Sequence, residues 1–109
     1  KEMAVIRERS ISFNEVIHNI ASGNNRINVI KRSEIVQKGF IEALFYDGVS
    51  YTADFSIYSI FSSDGYTLNK RGNAFVANEL IKLLNDSTSS NIKLMNPNLL
   101  EGNEIKTSF

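Results

Sequence analysis

The chain has 109 residues, and its twelve basic and twelve acidic side chains give a formal net charge of zero. This balance gives no electrostatic case for nucleic acid or an anionic membrane as a partner, and no apolar run is long enough to span a bilayer. The absence of cysteine excludes disulfides and a thiolate nucleophile.

The first third of the chain predicts a helix and then a strand. Residues 3–22 carry four apolar side chains at helical spacing on one side, and Gly23 provides a natural stop. Residues 27–30 form a short apolar, β-branched run, which predicts a central strand. One or two helical turns are expected at residues 33–39, ending at Gly39.

A β-hairpin is predicted in the middle of the chain. Two β-prone runs, residues 41–46 and 49–54, flank Asp47 and Gly48. A two-residue Asp-Gly loop is typical of hairpins because both positions tolerate positive φ. Helix, short loop, strand and hairpin in this order are typical of an α/β protein.

A long helix is predicted after the hairpin. Asn69 is a good N-cap, and the helix over residues 70–85 is apolar round most of its circumference, so it is expected to be largely buried. Residues 92–95 alternate between apolar and polar side chains, which predicts a short strand. The tail, residues 98–109, has weak patterning and is expected to be a partly ordered or wrapping segment.

The chain offers few groups for catalysis. A serine nucleophile needs a base, and the single histidine, His18, falls on the solvent side of the first predicted helix. One histidine does not make a histidine metal site, and the aspartates show no calcium-loop spacing. The glycines form no phosphate-binding loop. Neither a metal nor a cofactor is therefore expected, and the stretch FSSDGYTLNKRG is explained from its residues alone as a turn and a helix cap.

That stretch nevertheless has a resemblance beyond its local structure. Residues 61–82, FSSDGYTLNKRGNAFVANELIK, closely resemble the C-terminal block of SGNH/GDSL-type hydrolases, especially a bacterial lipase-like branch. The block reads roughly S-x-D-G-x-H-x-N/S-x-x-G, followed by a helix rich in A-N-x-x-I. The residues that fit it are Phe61, Ser62, Asp64, Gly65, Leu68, Asn69, Arg71, Gly72, Ala74, Ala77, Asn78, Ile81 and Asn85. The similarity covers roughly residues 10–97, although its specific part is short.

The resemblance implies a fold and a context. The fold would be α/β, a partial three-layer α/β/α sandwich of the flavodoxin-like SGNH type with an added β-hairpin. Residues 1–109 would be a single domain or the C-terminal part of a larger SGNH-like domain, acting on an ester or acyl substrate, and a secreted or periplasmic location is suggested. Because such a piece would expose a strand edge and an apolar face, self-association or a partner segment is expected.

The resemblance also implies two positions of the catalytic triad, Asp64 and Thr67, which we call the catalytic corner. Asp64 matches the triad aspartate, and Thr67 occupies the position of the triad histidine. A threonine hydroxyl does not titrate near neutral pH, so it cannot accept a serine proton as imidazole does. The G-D-S nucleophile motif is also missing. The chain is therefore expected to be the C-terminal segment of an SGNH/GDSL-like ester hydrolase, inactive alone and without a cofactor.

An alternative function is a small non-catalytic α/β binding or interaction module. Its contact surface would be the aromatic hairpin, residues 41–58, which carries Tyr46, Tyr51, Phe55 and Tyr58. Aromatic side chains favour interfaces and carbohydrate-like ligands. The competing explanation for about half of these rings is that they pack the core face of the hairpin.

Overall fold

The computed structural model describes residues 1–104, which divide into two compact units, Lys1–Ile30 and the described residues from Lys31 onward. The first unit consists of helix α1, Glu2–Ser22, and residues 23–30, which form no helix or strand. The helix predicted over residues 3–22 is therefore confirmed, with Gly23 as its C-cap. No residue of α1 is buried. Its apolar stripe is half to two-thirds exposed and consists of Phe13, Val16, Ile17 and Ile20.

The second unit contains the remaining elements. They are α2 (Arg32–Ile41), β1 (Leu44–Tyr46), β2 (Val49–Tyr51), α3 (Lys70–Thr88) and a 3-10 helix (Pro97–Leu99). The two strands pair antiparallel, with Tyr46 opposite Val49, and Asp47 and Gly48 both have positive φ, so the predicted hairpin is confirmed. Its strands are shorter than predicted because α2 continues into the region of the first strand and Ala43, at φ 77°, turns the chain.

The predicted partial three-layer α/β/α sandwich of the flavodoxin-like SGNH type is wrong. About half of the chain is helical, and the sheet formed by residues 1–104 has only the two antiparallel strands of the hairpin. Residues 27–30, predicted as a central strand, form no strand, and Ile27 is 41% exposed. A parallel sheet needs strands joined by crossover connections. Here the two strands after position 30 pair with each other through a tight turn, and residues 27–30 have no strand partner among the described residues.

The core of the second unit lies where the hairpin meets α2 and α3. Its buried apolar residues are Leu44, Tyr51, Ala53, Ile60, Phe61 and Phe75. The Tyr51 ring meets Phe75 edge-on, with centroids 5.4 Å apart, and its hydroxyl donates a hydrogen bond to Asn98. Burying a tyrosine with its hydroxyl paired combines apolar packing with a satisfied polar group, so Tyr51 links the core to the C-terminal residues.

Helix α3 begins where its first turn meets the main chain of Ile60. The Asn69 N–H donates to the Ile60 carbonyl oxygen at 2.9 Å, and the Asn69 side chain accepts from the Gly72 N–H at 2.9 Å, which confirms the predicted N-cap. A Cβ atom on Gly72 would overlap the Ile60 carbonyl oxygen and would lie 3.0 Å from the Leu68 side chain. Glycine is therefore required at position 72 because two main-chain segments touch there.

Burial of α3 is limited to its first half, so the expectation of a largely buried helix is wrong. Its buried residues are Gly72, Ala74, Phe75 and Asn78, whereas Leu80 and Leu84 are 48% and 40% exposed. The core cluster reaches along the helix only to Phe75, so the later apolar residues have less to pack against. No helix in residues 1–104 is both long and apolar enough to cross a bilayer.

The C-terminal residues contact the rest of the second unit through the fully buried Pro97 and through hydrogen bonds. We call residues 92–104 the strap. The strand predicted at residues 92–95 is wrong, because this stretch pairs with side chains of α3 and not with another strand. The wrapping predicted for the tail is confirmed for residues 98–104, which bond to the hairpin, α3 and the preceding loop. Residues 105–109 lie outside the described residues.

The close approach at Gly72 makes a specific prediction. Gly72→Ala forces α3 away from Ile60 and is expected to destabilise the second unit by roughly 3 kcal/mol. Gly39→Ala is the matched control, because its Cβ would meet Ala53 and Ile60 side-chain carbons at ordinary distances of 3.4 and 3.5 Å in a helix. Its effect should be within about 1 kcal/mol of zero. Urea unfolding of both variants measures this, and equal losses would contradict the close-approach account.

Candidate functional site

The candidate site is a closed turn over residues 61–68, directly before α3. The Ser62 N–H donates to the Thr67 carbonyl oxygen at 2.8 Å, and Phe61 and Leu68 form an isolated antiparallel bridge. Inside this frame the Gly65 N–H donates to the Ser62 carbonyl oxygen at 3.0 Å. Gly65 has φ +68°, which glycine adopts without strain. The frame fixes the backbone that carries the two residues singled out from the sequence.

Asp64 and Thr67 are brought together in this turn. One Asp64 carboxylate oxygen, Oδ1, accepts from the N–H groups of Tyr66 and Thr67, both at 2.9 Å. The other oxygen, Oδ2, accepts from the Thr67 hydroxyl at 2.6 Å. An aspartate that bonds to main-chain N–H groups two and three residues on is a common turn device. The additional contact between the two side chains is the one that the Asp-x-x-His resemblance requires.

These hydrogen bonds lower the pKa of Asp64. The largest cause is the Thr67 hydroxyl, followed by the N–H groups of Tyr66 and Thr67, all of which favour the charged carboxylate. The carboxyl is fully exposed, so burial does little to oppose this effect. Asp64 is therefore ionised at neutral pH and presents a fixed acceptor to the side chain at position 67. The threonine there can donate a hydrogen bond but cannot take up a proton.

Asn69 anchors the turn to the core as well as capping α3. Its side-chain Nδ2 donates to the carbonyl oxygens of Ser59, at 2.7 Å, and Phe61, at 3.1 Å, while its Oδ1 caps the helix. Sequence reasoning identified only the cap. Among the common N-cap residues, only asparagine can cap the helix through its oxygen and also donate two N–H hydrogen bonds. Ionised aspartate has no donor, and serine or threonine has one. In this chain the asparagine amide uses its donors on the Ser59 and Phe61 carbonyl oxygens beside the helix start.

The remaining candidates lie outside this turn. His18 is on α1, in the first unit, and is exposed, as the sequence predicts. Within residues 1–104, no three His, Cys, Asp or Glu side chains lie close enough together to hold a metal ion. Of the chemical groups in the turn itself, only the Asp64 carboxylate is ionised at neutral pH.

The hairpin aromatics divide between core and surface. Tyr51 is 1% exposed, so it belongs to the core, and Tyr46 is half-buried against the same cluster. Phe55 and Tyr58 are 89% and 50% exposed. The interaction surface considered from the sequence therefore lacks Tyr51 and retains Phe55 and Tyr58. Exposed single aromatic side chains are common on globular proteins, so their exposure alone does not indicate a binding site.

No protein-family model, curated protein or solved structure matches this chain. The resemblance to SGNH/GDSL-type hydrolases therefore rests on the residues of the block itself.

The Thr67 hydroxyl is expected to control the pKa of Asp64. Thr67→Val keeps the shape of the side chain but removes the donor, so the pKa of Asp64 should rise toward its ordinary value of 3.8. Carboxyl carbon shifts recorded by NMR across a pH titration measure this. Thr88→Val is the control, because it removes a hydroxyl at the other end of α3. An unchanged pKa of Asp64 in Thr67→Val would contradict the assignment.

The same shift has a consequence for stability. The pKa of Asp64 is lower in the folded chain than in the unfolded chain, so its ionised form stabilises the fold above about pH 4. This contribution is lost as the pH falls through the lower, folded-state pKa. The difference in stability between the wild-type chain and Thr67→Val should therefore be largest at neutral pH and should narrow in acid.

Proposed function

We propose that this chain is the C-terminal segment of an SGNH/GDSL-like ester hydrolase, inactive by itself, with Asp64 and Thr67 at the catalytic corner. The observation that carries the proposal is the 2.6 Å contact between the Thr67 hydroxyl and Asp64 Oδ2. In a catalytic Asp–His pair the carboxylate bonds to the imidazole, sets its orientation and stabilises its charged form. In the turn, the side chain at position 67 lies within hydrogen-bond distance of the Asp64 carboxylate, which supports the proposal.

The state of the Asp64 carboxylate supports this role. An orienting carboxylate must be ionised and held in place by its own surroundings. The N–H groups of Tyr66 and Thr67 hold Oδ1, which leaves Oδ2 directed at the side chain of position 67. The lowered pKa of Asp64 keeps the group charged through the neutral range.

The chemistry of position 67 accounts for the proposed inactivity. A serine nucleophile is activated by a neighbouring base that takes its proton, and the threonine hydroxyl has no such capacity near neutral pH. A serine for acyl transfer, with its oxyanion hole, would have to come from a complementing segment that carries a G-D-S motif. An ester or acyl substrate would bind only in that completed site.

Exposed apolar surface supports the need for a complementing segment. The stripe on α1 is half to two-thirds exposed, and Leu80 and Leu84 on α3 are nearly half exposed. Contiguous apolar surface of this kind marks interaction sites more often than free surface.

Restoring a histidine tests the catalytic geometry. In Thr67→His, the Asp64 carboxylate should raise the pKa of the introduced imidazole by about one pH unit relative to Thr67→His with Asp64→Asn. Imidazole proton shifts followed by NMR across a pH titration give both values. Equal values in the two variants would mean that Asp64 does not act on the side chain at position 67, and the catalytic corner would be disproved.

Activity measurements test the other part of the proposal. On a p-nitrophenyl ester, the wild-type chain is expected to turn over no faster than the Asp64→Ala variant, because it supplies neither nucleophile nor base. Turnover above that control would contradict the proposed inactivity while leaving the Asp64–Thr67 geometry untouched. The two experiments therefore fail independently.

A further inference from the structure

Three polar side chains form a line along α3 and bond to the main chain of the strap. Arg71, Asn78 and Asn85 are each seven residues apart, a spacing that keeps them on one face of a helix. Arg71 Nε donates to the Leu100 carbonyl oxygen at 3.0 Å, and the two asparagines bond to Met95 and Ile92. The strap therefore runs antiparallel to the helix.

Each asparagine makes two hydrogen bonds to one strap residue. Asn78 Nδ2 donates to the Met95 carbonyl oxygen at 2.9 Å, and the Met95 N–H donates to Asn78 Oδ1 at 2.7 Å. Asn85 repeats the arrangement with Ile92, at 2.9 and 2.8 Å. A carboxamide offers one acceptor and N–H donors in a plane, like a peptide group. We call Asn78 and Asn85 the amide ladder.

The spacing of the amide ladder matches an extended peptide. Seven residues of α-helix rise about 10.5 Å, and three residues of extended chain span about 10 Å. Asn78 and Asn85 are seven residues apart, while their partners, Met95 and Ile92, are three apart. Both ladder residues can therefore bond to one extended segment without strain in either element.

The amide ladder contacts the backbone, while other residues supply sequence selectivity. The side chains of Ile92 and Met95 are 47% and 42% exposed, so neither is enclosed by a specific pocket. In the middle of the strap Pro97 is fully buried, and Asn98 accepts from the Tyr51 hydroxyl and donates to the Tyr46 carbonyl oxygen. Further polar pairs lie at the far end of the strap. There Glu101 pairs with Lys70 at 2.7 Å, Glu104 pairs with the nearly buried Arg71 side chain, and Asn103 donates to the Phe61 carbonyl oxygen at 2.6 Å.

We propose that this face of α3 is a binding site for an extended peptide main chain, and that the strap is its ligand, separable from the rest of the second unit. Only residues 89–91 connect α3 to the strap, and Ser89 among them has a left-handed φ of 52°. The contacts described do not depend on that covalent link. A peptide with the sequence of residues 92–104, IKLMNPNLLEGNE, should therefore occupy the site from a separate molecule. The inference is independent of Asp64 and Thr67.

Cutting the connection tests the proposal on the folded 109-residue chain. A protease recognition sequence is inserted between Ser89 and Asn91, and the purified protein is cut after folding. The two pieces should co-elute in size-exclusion chromatography, and a fluorescently labelled IKLMNPNLLEGNE peptide should then replace the strap with saturable binding, measured by anisotropy. Release of the strap without saturable rebinding would overturn the proposal.

The amide ladder predicts how variants change that binding. Asn78→Asp and Asn85→Asp replace an N–H donor by an oxygen facing a carbonyl oxygen, and each should weaken peptide binding about tenfold or more. Asn73→Asp is the matched control: it makes the same change on α3, but its side chain bonds to the Leu68 carbonyl oxygen and not to the strap. Equal weakening by all three variants, or none by the ladder variants, would overturn the proposal.

Hydrogen exchange in the uncut chain gives a test that needs no variant. The N–H groups of Ile92 and Met95 are bonded to the ladder, so they should exchange more slowly than those of Lys93 and Leu94, for which residues 1–104 supply no partner. Separability requires that Ile92 and Met95 exchange through an opening more frequent than global unfolding. If the N–H groups of Ile92 and Met95 exchange only when the core N–H of Tyr51 also exchanges, the proposal is overturned.

Discussion

The contact between the first turn of α3 and the main chain of Ile60 is the constraint on which the second unit depends. Glycine at position 72 allows the two backbones to touch, and Asn69 joins them with hydrogen bonds to three main-chain groups. Because this contact fixes where α3 starts, it also fixes the turn before it and the direction of the polar face behind it. Both the Asp64 corner and the amide ladder are therefore positioned by the same few backbone atoms.

Asparagine side chains bond to main-chain groups that strand partners would pair with in a larger sheet. The described sheet has only two strands, so many main-chain groups outside it need other partners. Asn69, Asn78 and Asn85 supply them for the loops and the strap, and Asn98 donates to the Tyr46 carbonyl oxygen at 3.2 Å. Within residues 1–104 no buried side-chain nitrogen or oxygen lacks a partner. A two-stranded sheet is thus compatible with hydrogen-bond partners for every buried side-chain nitrogen and oxygen in the described residues.

The features that sequence predicted correctly are those that local chemistry decides. The Asp47-Gly48 turn and the Asn69 cap are each determined by a few neighbouring residues, and the structure has both where the sequence predicts them. Residues 27–30 and 92–95 have the composition of strands, but a strand requires a partner, which short-range pattern does not reveal. The seven-residue spacing of Asn78 and Asn85 places both on one helix face, but the extended partner that they bond, residues 92–95, is known only from the structure.

The Asp64–Thr67 pair shows why one pattern fits both a turn and a catalytic frame. The Asp64 carboxylate is exposed and accepts hydrogen bonds at both oxygens, and either a threonine hydroxyl or an imidazole N–H can donate to Oδ2. Hydrolysis needs, in addition, a group that accepts a serine proton, which imidazole provides and threonine does not. Threonine at position 67 therefore supplies the donor observed in the turn and lacks the base that acyl transfer requires. The geometry of the turn alone does not separate the two interpretations, because a donor to Asp64 Oδ2 is common to both.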